Sequence, residues 1–320
     1  MIVLGIESTA HTFGVGVITE DEILSNAKES YRPEKGGIHP RKASDFLASR
    51  AGSVIRKALT TAGAGMEDVD LVAFSRSPGM GHSLRVGSVA AKTLAYEFNK
   101  PLIGVNHCIA HVEIGRRVTG MNDPVVLYTS GANTQVIAFQ GGRYRVFGET
   151  IDMGIGNFID SFARYAGIPF PGGPRIEELA KKGKYVELPY VVKGMDVSFS
   201  GILTNLRQKL KKHELEDLCY SLQETVFAMM VEVSERALAH CQKKELLITG
   251  GVAANKRLRE MCRLMCKERG AGFKAPPMDL CVDNGVMIAE LGLKMHKAGV
   301  KGEVNIDQGE RTDEVEIKWR

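Results

Sequence analysis

Short apolar runs alternate along the chain with longer stretches in which apolar residues return every three or four positions, the mark of strands interleaved with helices. Strands are expected over 2–6 and 12–18, separated by a polar turn at Ser8–His11, with a third after the Glu20–Glu22 turn. Residues 41–62 carry Ala43, Phe46, Leu47, Val54, Ile55 and Leu59 near helical spacing and read as a helix. LVAFS at 71–75 and the stretch from Pro101 to Val105 read as strands. A helix from Leu84 to Phe98 lies between them, and one carrying His107 and His111 follows. In the second half, strands are expected at VVLYT, QVIAF, YRVFGET and ELLIT. Helices are expected at 156–165, after Pro174, at 202–212 and 215–241, from Val252 to Glu268, and from Asp283 to Met295. The tail EVEIKW reads as strand-like. This order predicts an α/β fold. No low-complexity linker divides it, so two interlocked lobes are expected.

The two halves echo each other. The segment at Ser8 reads S-T-A-H-T and leads into FGVGVI; the segment at Ser130 reads S-G-A-N-T and leads into QVIAF. Both follow an apolar strand. Two strand–turn–strand units with small polar turns are what a duplicated fold needs to hold a phosphate between two lobes.

A length of 320 residues suggests two domains of ordinary size, and 44% hydrophobic with 25% charged residues excludes a disordered or collagen-like chain. The apolar runs fall far short of the ~20 residues of a membrane span. MIVLGIE has neither the basic region nor the apolar stretch of a signal peptide. The net charge of +4 permits contact with nucleic acid without requiring it. The 35 glycines point to ligand-lining turns. Six cysteines without a CxxC pair read as reduced thiols of a cytoplasmic protein. Cys262 and Cys266, four apart, could face one metal; lacking a second pair, they read as half-buried small apolar residues.

His107 and His111 stand at i and i+4, a spacing that suits chelation of one metal and equally a surface or N-cap histidine pair. The glutamate of HExxH is missing. By position alone Asp283 is a helix N-cap and Tyr128 a packed aromatic. Gly250, Gly251 and Asn255 fit either a nucleotide-contacting turn or a tight strand-to-helix connection. Gly79 and Gly81 read as packing glycines, without the third glycine of a dinucleotide fingerprint or the GK[ST] of a P-loop. Asp160, Gly172–Gly173 and Glu177 could serve ribose hydroxyls, or Glu177 could simply complement a helix dipole. The basic clusters at Arg116–Arg117, Lys181–Lys184, Arg207–Lys212 and Lys256–Arg259 read as solvated helix faces, an RNA track being the alternative.

GIESTAHT, GGIHPR, NHCIAH, YTSGANTQ, GETIDMGIGN, PFPGGPRIE, GMDVSFSG, ITGGVAAN and DNGVMIAE, in this order, resemble the universal tRNA threonylcarbamoyladenosine transferase family. More narrowly they resemble its archaeal and eukaryotic branch, the catalytic subunit of the KEOPS complex. The resemblance spans nearly the whole chain. It implies the two-lobed actin-like ATPase and sugar-kinase superfold with duplicated RNase H-like domains. The lobes are expected at 1–122, completed by 300–320, and at 123–299. It further implies one iron or zinc ion held by His107, His111, Tyr128 and Asp283. The adenylate site would use Tyr128, Thr129, Ser130, Gly131, Ala132, Asp160, Gly173, Glu177 and Asn255.

The implied reaction moves threonylcarbamoyl from threonylcarbamoyl-AMP to N6 of the adenosine 3′ of the tRNA anticodon. The implied partners are tRNA, a small kinase-like ATPase and a dimer-forming small subunit, with no membrane or DNA. His11 is the candidate general base, the alternative being a turn residue bonding its own backbone. The sequence departs from the family pattern at Ala132, at Asp45–Leu47, at His82 and Ser83, at Ser161 and at Val282. Two rivals remain: an ATPase or small-molecule kinase of the same superfold, which usually carries aspartate where this chain has Glu7, and a non-catalytic assembly subunit.

Overall fold

The computed structural model describes residues 1–33 and 37–320; Gly36, which opens the GGIHPR block, lies outside them. Strands β1 (Val3–Glu7), β2 (Thr12–Ile18), β3 (Ile23–Ser30), β4 (Leu71–Ser77) and β5 (Leu102–Asn106) form a first sheet in the order β3-β2-β1-β4-β5. Helices α1 (Pro40–Ala62) and α2 (Gly81–Glu97) connect its strands, and α3 (His107–Thr119) leaves it. β6 (Val125–Thr129), β7 (Thr134–Gln140), β8 (Arg143–Glu149), β11 (Glu245–Thr249) and β12 (Gly272–Lys274) form a second sheet in the order β12-β11-β6-β7-β8. Read from its other edge, the second order repeats the first. In each sheet the opening strand pairs antiparallel with the next and parallel with a later one. The echo at Ser8 and Ser130 is thus the same turn of two copies of one topology.

Between β8 and β11 lie α4 (Ile155–Tyr165), α5 (Gly173–Ala180), the short pair β9 (Val192–Lys193) and β10 (Asp196–Val197), α6 (Ser200–Lys209) and α7 (Leu215–His240). After β11 come a 3₁₀ turn, α8 (Lys256–Glu268), α9 (Met278–Cys281) and α10 (Gly285–Lys297). The helix expected from Val252 breaks at Asn255, whose side chain caps α8. No helix among the described residues is long and apolar enough to cross a membrane.

The core is built in layers. α1 and α2 cover the outer face of the first sheet, and α4 to α8 that of the second. α3 and α10 fill the space between the two sheets. Strands covered on both faces read as continuous apolar runs, and all five residues of β1 are buried. Cys262 and Cys266 are buried thiols in the outer core of the second lobe, as their apolar reading expected.

α10 lies against β1, β2 and β4, although its residues fall within the stretch 123–299. Glycine makes this possible. A Cβ on Gly5 would stand 2.3 Å from the Gly285 carbonyl oxygen, and one on Gly285 would stand 2.1 Å from the Gly16 nitrogen. Much of the glycine excess thus serves close packing rather than ligand-lining turns. Gly285→Ala is expected to destabilise the fold by about 3 kcal/mol, since backbone pressed on backbone cannot yield; urea midpoints at unchanged slope measure it.

The tail differs from expectation. Residues 314–319 form no strand. Ile317 is buried, and Trp319 donates its indole N–H to Glu113 of α3 at 3.3 Å. The tail reaches both sheets: Arg76 and Glu310 pair at 2.7 Å on the first, Arg311 and Glu149 at 3.0 Å on the second.

Candidate metal centre and nucleotide rim

α3 follows β5 without a loop. Asn106, the last strand residue, caps the helix, its Oδ1 accepting the N–H of Cys108 at 3.0 Å and of Ile109 at 3.2 Å. His107 and His111 then fall one turn apart on one face, their rings edge to face with centroids 4.8 Å apart. Asp283 comes from the connection between α9 and α10. It is not the N-cap its position suggested. Asn284 takes that role, accepting the Met287 N–H at 2.9 Å. The Asp283 carboxylate is left to face α3, with Oδ1 3.5 Å from His107 Nε2 and 3.4 Å from His111 Nε2.

Two donors each about 2.0–2.1 Å from a tetrahedral ion stand about 3.4 Å apart. One ligand atom from each of His107, His111 and Asp283 lies within 4.8 Å of the others. Tyr128 is fully buried with its ring 5.1 Å from that of His111, and its hydroxyl has no hydrogen-bond partner among the described residues. Such an orphan calls for an explanation, and a cation beside it would supply one. Two imidazoles, a carboxylate and a phenol are a donor set suited to zinc or iron.

Behind the first imidazole stands a residue that sequence reasoning passed over as a ligand support. Glu7, at the end of β1 and fully buried, places Oε2 2.9 Å from His107 Nδ1. Its Oε1 accepts the N–H of Thr9 at 2.7 Å and the Thr9 hydroxyl at 2.5 Å. Nδ1 is thereby fixed as the protonated nitrogen and Nε2 is presented to Asp283. Burial alone would strip charge from His107, but the charge and hydrogen bond of Glu7, aided by Asp283, raise its pKa to about 9. His111 shifts the other way, lowered by burial and by its charged neighbour His107. Burial opposes ionisation of Asp283, yet the His111 hydrogen bond and both imidazoles hold it well below the usual carboxylate range. Glu7→Gln is expected to weaken metal binding about 10- to 100-fold, measurable by cobalt(II) titration.

The two echoed turns flank the start of α3. Thr9 approaches His107 Nδ1 at 3.3 Å from one side, and Asn133 Nδ2 stands 3.6 Å from Cys108 Sγ on the other. Gly79 packs on the first turn as expected, its site for a Cβ 2.7 Å from the Thr9 carbonyl oxygen. Ser83, one of the departures, donates its hydroxyl to the Ala10 carbonyl at 2.6 Å and so braces that turn. In the second turn the N–H of Ser130 is engaged by the Asn133 carbonyl at 2.8 Å, leaving those of Gly131 and Ala132 without a partner among the described residues. An anion therefore has two N–H groups available in this turn. The glycines before α4 let its N-terminus press on this turn; a Cβ on Gly154 would meet the Gly131 oxygen at 2.4 Å.

The remaining candidates lie at α4, α5 and the connection into α8, apart from His11 on the first turn. Asp160 Oδ1 accepts the Gly172 N–H at 2.8 Å, and burial raises its pKa against the pull of that N–H and of His11. Glu177 Oε1 accepts the Lys256 N–H at 2.9 Å, so it serves the N-terminus of α8 rather than its own helix. The Asn255 amide caps α8 and donates to Gln223 at 2.7 Å. Gly250, at φ +92°, packs on the Thr129 backbone as a tight connection, whereas Gly251 faces open space. His11 is half-buried on the first turn, edge-on to Phe170 with centroids 5.7 Å apart.

The family model for TsaD, tRNA N6-adenosine threonylcarbamoyltransferase, matches residues 22–290. The chain belongs to this family. The tRNA N6-adenosine threonylcarbamoyltransferase of Thermococcus kodakarensis is 58% identical over the whole of both chains, and that of Thermococcus gammatolerans 56%. A probable bifunctional tRNA threonylcarbamoyladenosine biosynthesis protein of Methanobrevibacter smithii is 54% identical over all of this chain and 60% of its own length. Among solved structures, T. kodakarensis HypF aligns over 93% of this chain and 48% of its own with a TM-score of 0.63 at 14% identity. Component A of the Acidaminococcus fermentans (R)-2-hydroxyglutaryl-CoA dehydratase aligns over 93% and 99% with 0.60 at 15%. These two likenesses concern the fold alone, and the chain has the two-lobed actin-like architecture.

Within this threonylcarbamoyltransferase, donor atoms of His107, His111 and Asp283 meet at the start of α3, with the Tyr128 ring packed on that of His111. Asp160, Glu177 and Asn255 sit on α4, α5 and the cap of α8. The signal for Glu7 was its place as an acid closing a buried strand.

Proposed function

We propose that the chain moves threonylcarbamoyl from threonylcarbamoyl-AMP to N6 of the adenosine 3′ of the tRNA anticodon. The observation that carries this reading is the convergence of His107, His111 and Asp283 beside the orphaned Tyr128 hydroxyl, between the two echoed turns. The exocyclic amine is a poor nucleophile because its lone pair is delocalised into the ring, so the donor must be activated and held close. An ion of iron or zinc held by these four residues would polarise the carbamoyl carbonyl or clamp the threonyl group.

The protein's own groups supply the rest. The N–H groups of Gly131 and Ala132 receive the phosphate. The second carboxylate oxygens of Asp160 and Glu177 accept ribose hydroxyls, with Gly173 and Asn255 beside them. Thr129 and Ser130 set the turn. Glu7 keeps the proton of His107 on Nδ1. His11, beside Phe170, is the candidate to accept a proton from the incoming amine. The base reaches the cleft unstacked from the anticodon loop.

The kinase rival loses its acid, because both oxygens of Glu7 are engaged by Thr9 and His107. Cytoplasmic work with a small kinase-like ATPase and a dimer-forming small subunit completes the proposal; the names of relatives as bifunctional biosynthesis proteins support work with a partner. We place the lobes at 1–122 with 300–320 and at 123–299, α10 belonging to the layer between them. Incubating the protein and these partners with labelled threonylcarbamoyl-AMP and unmodified tRNA should label tRNA, and a chelator should stop it. Labelling that persists after full metal removal would overturn the metal-dependent reading.

A further inference from the structure

We infer that Glu310, in the C-terminal tail, is a positioning residue for the metal-binding helix, acting through Asn106. The inference rests on the reading of His107, His111 and Asp283 as a metal site. The Glu310 side chain is 19% exposed and takes three donors: Arg76 Nη2 at 2.7 Å, the Ser77 hydroxyl, and Asn106 Nδ2 at 3.1 Å. An asparagine amide has two faces, an acceptor and a donor. By engaging the NH₂ group, the carboxylate turns Oδ1 of Asn106 toward the N–H groups of Cys108 and Ile109. A flipped amide would point its own N–H groups at these donors and lose the cap. His107 is the first residue of that helix and His111 lies one turn on.

The tail is anchored on both sides of this contact. Asp307 N–H donates to the Arg76 carbonyl at 2.9 Å, and the buried Thr312 hydroxyl reaches Gln135 of the second sheet at 3.2 Å. Residues 307–312 thus cross from one sheet to the other beneath the first turn of α3, with Glu310 at the crossing.

The test is cobalt(II) titration of the metal-free full chain, with amide hydrogen exchange of residues 107–112. Glu310→Ala is expected to weaken cobalt binding about tenfold or more and to speed exchange there. Aspartate caps as well as asparagine but has no face to flip, so adding Asn106→Asp to Glu310→Ala should restore most of both. Arg311→Ala, which frees the tail from Glu149 but not from Asn106, should change neither. Unchanged binding and exchange in Glu310→Ala, or a double variant as impaired as the single, would overturn the inference. If the parent chain binds no cobalt, the metal reading fails, and exchange alone decides whether Glu310 positions the helix.

Discussion

Asp283→Ala is expected to lower threonylcarbamoyl transfer by about three orders of magnitude, equivalent to about 4 kcal/mol of lost transition-state stabilisation. Metal content should fall with it. Stability should also fall, because a carboxylate held low by two imidazoles stabilises the fold at neutral pH. The loss should be smaller than in a variant that strands a fully buried charge, since Asn284 and not Asp283 caps α10 and the Asp283 side chain is 22% exposed. His107→Ala makes the contrast. It removes a ligand as well, but it also leaves the carboxylate of Glu7 buried with only Thr9 to bond, and a buried charge without its partner costs about 3–5 kcal/mol. The two variants should therefore look alike in transfer and metal assays and differ in denaturation. An Asp283→Ala protein that keeps its metal and its transfer rate would remove the carboxylate from the centre.

Glu113→Ala should strongly destabilise the layer between the sheets. Glu113 is fully buried in α3 and accepts from Arg116 at 2.9 Å, Lys294 at 2.6 Å, Trp319 at 3.3 Å and the Tyr144 hydroxyl. Those donors come from α3, α10, the tail and β8, so one carboxylate joins four parts of the fold. Its removal leaves two cations and a phenol around a cavity and is expected to cost about 3–5 kcal/mol at neutral pH.

The pH dependence has a definite sign. Burial would raise the Glu113 pKa, but Lys294 and Arg116 overcome it and hold the group below its ordinary value. Stability from a depressed carboxylate is complete above its unfolded pKa of about 4.3 and fades as pH falls through the folded value. The difference between parent and variant should accordingly be full at pH 7 and shrink in acid. Urea midpoints across that range measure it, and a difference that grew in acid would contradict the assignment.

Much of this was legible in the sequence because it is local. The period of apolar residues gave strands and helices within a few positions, and the matching turns at Ser8 and Ser130 announced two copies of one topology. The spacing of His107 and His111 placed both on one helical face before any partner was known. Where a neighbour competed for the same role, the chain alone was ambiguous: Asp283 and Asn284 are both good caps, and only the packed helix shows which one bonds the Met287 N–H. The tail was misread for a related reason. EVEIKW alternates like a strand, but it pairs with no strand among the described residues; Ile317 is buried instead and Trp319 bonds Glu113.

What the sequence determined by itself is the repertoire: an α/β chain with a duplicated strand–turn–strand unit, a histidine pair at chelating spacing, and the ordered blocks of a threonylcarbamoyltransferase. Tertiary structure decided which groups meet. Asp283 reaches the histidines because Gly5, Gly16 and Gly285 let α10 lie directly on the first sheet, and Glu7, Asn106 and Glu310 act together across as many as 303 positions only because their elements share a layer. Local periodicity reflects forces between near neighbours. Long-range convergence depends on which faces exclude water together, and that is settled only when the whole chain packs.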